Sequence, residues 1–439
     1  MTIPLLSTAI LLFAAGPQAA DQVRTLSLAD ALAELDGQNL ALSEARSRVG
    51  QARALIEQAT SPLLPQVMVA GGYTRNSDEA KMGLGGLFES LGQPPPPGLP
   101  GTLYIQPIGA WTASASVRVP LLAPSAWADR KAAQRAAEAA DASLRTVRLR
   151  LRASLAQAAC MAAAAEEIVT VSERAVAISE EHRRTSARMH QAGETAALTV
   201  LKADTELVRR QSDLARARAE LDRARLALGV LLGKAEPVRV LPGTFPESAN
   251  VSSATLVREA LGLRPEVAAE KARISAAEAQ RLSARLRLVP QISGSAGVFA
   301  SDMPYPTGKK NGWRVTLEAS WPIFDGGFRA GKRAAAEAEI EGARAAAEAQ
   351  RLAIAQDVAD AVRDVDVAAE RLRLAERQAA FATEAAATAK RIFEAGVSGS
   401  LEVLDANDRQ YQAEVALADA HARFGMARVA LAKAIGKDL

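Results

Sequence analysis

The chain has 439 residues, of which 4% are aromatic and 23% are charged, and its net charge is +3. Few large apolar side chains argue against deep globular cores, whereas abundant alanine with interspersed charges is typical of long packed helices. The small net charge and the lack of a Lys/Arg block argue against a nucleic-acid partner.

Residues 1–20 carry no charged side chain and include an apolar run from Ile10 to Ala15. This pattern predicts a signal peptide over 1–20 and therefore an exported protein, although no basic residue precedes the run and Gln18 suits cleavage poorly. No other apolar run approaches the length of a membrane helix, so no helical span is predicted. The only cysteine, Cys160, falls within a helical stretch and is interpreted as a small buried thiol.

One set of landmarks occurs twice along the chain. The first set is Trp111, Pro120, Ala192-Gly193 and Leu232-Gly233-Lys234, and the second is Trp313, Pro322, Ala395-Gly396 and Ile435-Gly436-Lys437. A repeat this long is a duplication of one large hairpin rather than a solenoid unit. We therefore expect two equivalent halves, residues 21–234 and 254–439, joined by a proline-containing linker over 235–253.

Each half contains two candidate membrane strands, over about 66–75 and 111–119 in the first and about 291–299 and 313–321 in the second. Apolar and polar residues alternate from Trp111 to Pro120 and from Trp313 to Pro322, which gives each strand one apolar face. About nine residues suffice for a tilted strand to cross a bilayer. Alternation alone also fits a soluble half-buried sheet. Three tryptophans at strand ends favour a membrane, where they would form an aromatic belt: Trp111, Trp313 and Trp321.

The number of strands implies an oligomer. An open sheet edge is not tolerated in lipid, and membrane barrels begin at about eight strands. Four strands cannot close, so we expect the barrel to be shared between subunits. The segments 76–110 and 301–312, which separate the strands of each pair, are predicted to be exposed loops.

The remaining segments are predicted to be helices. Residues 126–191 and 333–395 contain no proline and a single glycine, Gly342, so each would extend about 100 Å. Shorter return helices are expected over 195–232 and 400–435, and upstream helices over 27–60 and 257–288. Gly193 and Gly396 would end the long helices at the far turns. Apolar spacing suggests packing seams along Leu198, Leu201 and Val208, and along Leu401, Leu404 and Tyr411.

Several motifs together resemble the TolC family of outer-membrane efflux proteins. They are the stretch from Arg391 to Asn407, the Leu431–Lys437 ending, Val119-Pro120-Leu121, and Trp321 to Gly327. The resemblance implies a homotrimer with a twelve-stranded outer-membrane barrel and a twelve-helix periplasmic tunnel. It places Glu402 and Asp405 as an acidic ring at the narrow entrance, and Gly193 and Gly396 at tips that contact a periplasmic adaptor.

The chain also departs from the family pattern. Phe393 stands where a tyrosine is usual, so the hydroxyl hydrogen bond is lost, and Ser398 stands where some members carry a basic gating residue. These departures put charge-locked closure in doubt.

The resulting functional expectation is the outer-membrane channel of a tripartite efflux or type I secretion system, working with an adaptor and an inner-membrane pump. The alternative is a secreted structural or adhesive coiled-coil rod, which does not account for paired strands at matched places in both halves. His182, His190 and His421 occur singly, without metal-ligand spacing or a nucleophile motif. We therefore expect no enzyme activity, no cofactor and no bound metal.

Overall fold

A computed structural model describes residues 23–84, 88, 90–92, 102–243, 252–303, 305, 309–395 and 397–438. The predicted signal peptide over 1–20 and the tip residue Gly396 lie outside these described residues. The chain divides into two compact units, and each takes segments from both halves of the sequence. The helical unit comprises the segments 1–43, 147–264 and 354–439, and the sheet unit comprises the segments 44–146 and 265–353.

The described chain contains eight α-helices, which alternate with the strands in the order that the repeat predicts. They are α1 (Leu28–Gln38), α2 (Leu40–Thr60), α3 (Pro124–Gln191), α4 (Ala197–Leu231), α5 (Ser253–Leu263), α6 (Pro265–Leu286), α7 (Phe328–Glu394) and α8 (Ser400–Ile435). The two long helices, α3 and α7, have 68 and 67 residues. Their near-equal lengths agree with a duplicated hairpin.

The strands are β1 (Arg24–Leu26), β2 (Gln66–Arg75), β3 (Ala80–Gly83), β4 (Thr102–Gln106), β5 (Gly109–Leu122), β6 (Val238–Val240), β7 (Gln291–Ser301) and β8 (Asn311–Ser320). Four of them form one antiparallel sheet in the order β2–β5–β7–β8. The pairing of β5 with β7 joins the two halves of the sequence within this sheet. Strand β5 continues through Pro120 to Leu122 with a register shift, because proline cannot donate to the ladder.

The register gives the four-stranded sheet one continuous apolar face. Val69 lies opposite Ala115, Ala115 lies opposite Val298, and Val298 lies opposite Trp313. Because directly opposed residues share a face and side chains alternate along each strand, the apolar positions of all four strands coincide. Val69, Val315 and Trp313 are 79%, 69% and 75% exposed. The opposite face carries polar side chains from each strand, among them Ser114, Ser295 and Thr316.

The upstream helices are broken where the sequence analysis predicted continuous ones. α1 and α2 meet at Asn39, and α5 and α6 meet at Arg264, and both residues have φ −66° and ψ 127°. Asn39 Oδ1 accepts a hydrogen bond from Leu42 N at 3.1 Å, so it caps α2. Arg264 precedes Pro265, and a residue before proline avoids the helical conformation.

The equivalence of the two halves extends to their charged contacts. Lys234 forms an ion pair with Glu34 in the first half, and Lys437 forms one with Glu259 at 3.0 Å in the second. Each lysine follows the glycine that ends a return helix, and each glutamate lies on the first helix of its half. The Gly-Lys landmarks therefore mark the same local structure twice.

Three further features differ from the sequence-based predictions. The predicted linker contains β6, which pairs in parallel with β1. The predicted loop over 76–110 contains β3 and β4, which pair with each other. By length and composition alone, α3 includes a stretch that could cross a membrane, whereas no helical span is predicted from the sequence.

The predicted packing seam of α4 is not buried within the single chain. Leu198, Leu201 and Val208 are 59%, 62% and 65% exposed, and Leu401 on α8 is 64% exposed. The buried positions of α4 are Ala203, Arg210, Ala217, Leu221, Leu228 and Gly229. Alanine is so frequent along these helices that more than one stripe of apolar residues follows the seven-residue spacing of a packing seam. Leu198, Leu201 and Val208 instead form an apolar stripe that no described part of this chain covers.

Candidate functional site

The first hairpin tip is the turn between α3 and α4. Gly193 has φ +79°, and this left-handed conformation favours glycine. Its N–H donates to His190 O at 3.0 Å, and the N–H of Glu194 donates to Met189 O at 2.9 Å. These two hydrogen bonds are those of a Schellman motif, so the carbonyls at the end of α3 are satisfied within the turn.

The second tip joins α7 to α8 and contains Gly396, which lies outside the described residues. The flanking residue Val397 donates its N–H to Ile392 O at 3.1 Å. This hydrogen bond has the same sequence spacing as the one from Glu194 to Met189. The two tips therefore share a six-to-one hydrogen bond across the turn.

Glu402 and Asp405 lie on the first two turns of α8, and both are exposed in the single chain. Asp405 forms an ion pair with Arg409 at 3.0 Å, four residues further along the helix. Glu402 lines an open groove together with Phe381, Ile392 and Ser398. The positive end of the helix dipole also favours a carboxylate in this first turn. The two acidic side chains thus differ, because Asp405 has a cationic partner.

A buried contact fixes the start of α8 against the two long helices. His182 on α3 is 7% exposed, and its Nε2 lies 2.9 Å from Ser400 Oγ. The ring of Phe393 on α7 packs against His182 with 5.3 Å between the ring centroids. Burial lowers the pKa of His182 from its usual value of 6.5, which favours the neutral ring. The phenylalanine that replaces the family tyrosine is therefore a packing residue here.

The most deeply buried charge of this region is Arg210 on α4, which is 2% exposed. It forms ion pairs with Asp408 on α8, with Glu206 at 2.7 Å and with Asp213 at 3.4 Å. Its guanidinium carbon lies 4.4 Å from the centroid of the Tyr411 ring. We call these five residues the Arg210 cluster.

The Arg210 cluster connects the return helices of the two hairpins. Asp408 also accepts a second cation, Arg209, at 2.9 Å, and the Tyr411 hydroxyl lies 3.3 Å from Ser172 Oγ on α3. Sequence reasoning missed this cluster. The sequence does contain a signal for it. Arg210 has an acidic residue four positions before it and another three positions after it, and it falls in a helical stripe of alanine and leucine residues.

The three tryptophans of the expected belt lie at two levels of the sheet. Trp111, directly opposite Tyr73, and Trp313 lie near the loop ends of β5 and β8. Trp321 follows β8 at the helix end, where its Nε1 donates to Leu288 O at 3.0 Å. All three side chains are exposed, by 47%, 75% and 60%. Their positions match the two edges of an apolar band.

Within the described ranges, no group of three or more His, Cys, Asp or Glu side chains could hold a metal ion. His182 packs against Phe393, while His190 Nδ1 lies 2.8 Å from Thr195 O. Cys160 is a free, buried thiol, and burial raises its pKa. These side chains therefore act as packing and turn residues in this structure.

A four-stranded sheet with one apolar face, in the same chain as two long helical hairpins, is typical of an outer-membrane protein with periplasmic helices. The chain matches the family described as outer membrane efflux protein over residues 31–234 and 256–437. It therefore belongs to the outer membrane efflux protein family. The protein is located in the outer membrane, and its helices lie in the periplasm.

The chain is 30% identical to the outer membrane protein OprJ of Pseudomonas aeruginosa over 216 residues, covering 48% of this chain and 45% of OprJ. It is 26% identical to the pyoverdine export outer membrane protein OpmQ of Pseudomonas putida over 422 residues, covering 92% of this chain and 84% of OpmQ. The outer-membrane channel OprN has the same fold, with a TM-score of 0.76 and 24% identity over 94% of this chain and 90% of that one.

Proposed function

We propose that the protein is the outer-membrane channel of a tripartite efflux or type I secretion system, and that it works as a homotrimer. The observation that carries the proposal is the sheet β2–β5–β7–β8 with its continuous apolar face. Within the described part of the chain, β2 and β8 each pair on one side only, so both outer edges of this sheet are open. Hydrocarbon does not tolerate such edges.

Three copies of the chain can pair all of these open edges with one another. Joining β2 of one copy to β8 of the next is an antiparallel pairing, because adjacent strands of the sheet already alternate in direction. Three sheets of four strands give a twelve-stranded barrel, an even number that suits membrane barrels. The apolar stripe Leu198, Leu201 and Val208 also needs cover, which a neighbouring subunit could supply.

The alternative of a coiled-coil rod at the cell surface accounts for α3, α4, α7 and α8. It gives no reason for a sheet whose exposed apolar face runs across all four strands. Membership of the outer membrane efflux protein family also favours the channel. We therefore retain the channel as the proposed function.

We further propose roles for the sites at the hairpin ends. The tips at Gly193 and Gly396 would contact a periplasmic adaptor, which links the channel to an inner-membrane pump. Glu402 and Asp405 would contribute three copies each to an acidic ring at the entrance. In the first hairpin the matching positions are Thr199 and Lys202, so this acidity is confined to one hairpin of each subunit. Trp111, Trp313 and Trp321 would form the aromatic belt.

The trimer can be tested by disulfide cross-linking across the proposed β2–β8 junction. We expect a chain with Ala70→Cys and Thr316→Cys, in a Cys160→Ala background, to give a covalent trimer on a non-reducing gel. Both residues lie on the polar face near the middle of an edge strand. Met68→Cys paired with Thr316→Cys covers a shifted register, and each single-cysteine chain is the control. A ladder that stops at the dimer, or no cross-link in either register, would contradict the trimer.

Gly193→Val tests the first tip. A β-branched residue is strained at φ +79°, by about 1–2 kcal/mol, although nothing lies within 4 Å of the added Cβ. We expect reduced export with normal barrel assembly, measured by drug susceptibility of a deletion strain and by heat-modifiable gel migration. Gly193→Asn is the matched control, since asparagine tolerates this conformation. Full export by the valine variant would show that export does not depend on the conformation of this turn.

Glu402→Gln together with Asp405→Asn tests the entrance. A ring of carboxylates attracts cations and binds multivalent ones most strongly. We expect the double variant to lose cation selectivity and block by trivalent metal cations in single-channel recordings. Of the two single variants, Glu402→Gln should have the larger effect, because Arg409 already balances Asp405. Unchanged selectivity and block in the double variant would show that both residues are ordinary surface charges with no role at the entrance.

A further inference from the structure

Basic side chains concentrate where the membrane strands meet the helices. The four segments at these junctions are 53–63, 123–135, 281–290 and 321–333. Together they hold ten basic and three acidic side chains, a net charge of +7, whereas the whole chain carries only +3. All four segments belong to the sheet unit. The positive charge therefore collects at the periplasmic edge of the outer membrane.

One groove brings several of these basic residues together with a tryptophan. It lies between α2 and α3, has a volume of about 750 Å³, and is lined in part by Arg53, Ile56, Trp127, Arg130, Lys131 and Arg135. Trp127 is 54% exposed, and Arg130 and Lys131 are also exposed. The groove thus offers both a cationic surface and an aromatic one.

The acidic residues of the groove are already paired with other arginines. Glu138 lies 2.7 Å from Arg135, and Asp141 lies 3.9 Å from both Arg53 and Arg145. No acidic side chain in the described part of the sheet unit forms an ion pair with Arg130 or Lys131. Two exposed cations are therefore available to an anionic ligand.

The position of the groove along the membrane normal follows from the strand that precedes α3. β5 ends at Leu122 and α3 begins at Pro124. At about 1.5 Å per residue, Arg130 and Lys131 lie roughly 10 Å along the helix from its start. Trp127 is on the first turn, which is the level where tryptophan prefers to lie at a membrane interface. These residues are at the depth of the phospholipid headgroups in the periplasmic leaflet.

We propose that this groove binds the headgroup of an anionic phospholipid from the periplasmic leaflet of the outer membrane. Arg130 and Lys131 bind the phosphate through charge-assisted hydrogen bonds, and Trp127 and Ile56 contact the glycerol and upper acyl chain. The interaction ties the helices to the membrane directly below the sheet. It goes beyond the proposed export function and requires only the membrane position of the sheet.

The second half of the chain repeats the arrangement. Lys332 and Arg333 occupy the positions equivalent to Arg130 and Lys131, counted from Trp313 and Trp111. Phe328 is 58% exposed, and Lys332 Nζ lies 5.6 Å from the centroid of its ring. Arg333 lies 3.8 Å from Glu337, so Lys332 is the cation of this second pair that an anionic ligand would contact. The recurrence of an exposed cation next to an exposed aromatic residue at both junctions supports a common ligand at this depth.

Native mass spectrometry of the full-length protein in non-ionic detergent tests the proposal. Phosphatidylglycerol and phosphatidylcholine with identical acyl chains are titrated into wild type and into Arg130→Gln/Lys131→Gln. We expect wild type to prefer phosphatidylglycerol, and the double variant to lose about 30-fold in affinity for it. Arg183→Gln/Arg184→Gln is the matched control, because it removes the same charge from an adjacent pair far along the same helix.

A second measurement locates the lipid. Replacing Trp111, Trp313 and Trp321 with phenylalanine leaves Trp127 as the only one of the four tryptophans. Brominated phosphatidylglycerol should quench its fluorescence more strongly than brominated phosphatidylcholine. Equal affinity for the two lipids, equal losses in both double variants, or unquenched Trp127 would each overturn the proposal. Loss of the oligomer in Arg130→Gln/Lys131→Gln would show instead that a second copy of the chain covers the groove.

Discussion

Val315→Arg is expected to abolish assembly of the protein in the outer membrane. Val315 lies on the apolar face in the middle of β8, directly opposite Ala296, and is 69% exposed in the single chain. An arginine facing lipid near the bilayer midplane costs about 2–4 kcal/mol. Every copy in an oligomer would carry this cost. The measurement is the amount of heat-modifiable protein in the outer-membrane fraction.

The adjacent residue provides the matched control for this variant. Thr316 pairs with Ser295 on the polar face, so Thr316→Arg places the same side chain toward the interior of the barrel. We expect normal assembly of this control. If the two variants assembled equally well, β8 would not be a membrane strand, and the channel proposal would fail with it.

Arg210→Ala is expected to destabilise the helical unit strongly. The substitution leaves Glu206, Asp213 and Asp408 without their shared buried cation. Breaking a buried ion pair by removing one partner costs about 3–5 kcal/mol when the remaining charge has no other partner. Because Arg209 still pairs with Asp408 at 2.9 Å, we expect a loss at the lower end of this range. Thermal unfolding followed by circular dichroism should show a lower midpoint.

Two comparisons separate the buried cluster from ordinary surface charge. Arg216 pairs with Asp213 at 3.8 Å and its side chain is 74% exposed, so Arg216→Ala should change stability by about 0–1 kcal/mol. Arg210→Leu/Asp408→Leu removes both partners and should recover part of the loss caused by Arg210→Ala. Equal stabilities for Arg210→Ala and Arg216→Ala would mean that the cluster does not hold the helices together.

The four strands of the sheet were predictable from sequence because their signal is local. Alternation from Trp313 to Ala319 specifies which side chains share a face, and the observed register places those apolar residues on one face of the sheet. The pairing of β5 with β7 was not predictable in this way. It joins residues such as Val117 and Ala296, which are far apart in sequence, and each strand would fit either neighbour equally well.

The helix packing was predicted less well for a different physical reason. In α4, the buried stripe of Ala203, Arg210 and Ala217 and the exposed stripe of Leu201 and Val208 both follow helical spacing. Larger side chains normally identify the buried stripe, but here they remain exposed within one chain. Arginine is also seldom fully buried without partners, and its partner Asp408 lies in the other half of the sequence.

Local signals could have located the breaks in the upstream helices. Asparagine is a preferred capping residue, and Asn39 caps α2 through its side chain. The Arg264-Pro265 pair is a second boundary signal, because the residue before a proline avoids the helical conformation. The predictions of continuous helices over 27–60 and 257–288 did not take these two signals into account.

The two open edges of the sheet also constrain how the protein reaches its final location. Before insertion, the described part of each copy presents two ten-residue edge strands, each with one side unpaired, and an exposed apolar face. Such strands are templates for uncontrolled aggregation in water. Newly exported copies must therefore be shielded by a holding chaperone or meet one another quickly. The rate of aggregation rises with the concentration of single copies. Overproduction should therefore cause aggregation before the outer membrane has no room for further copies.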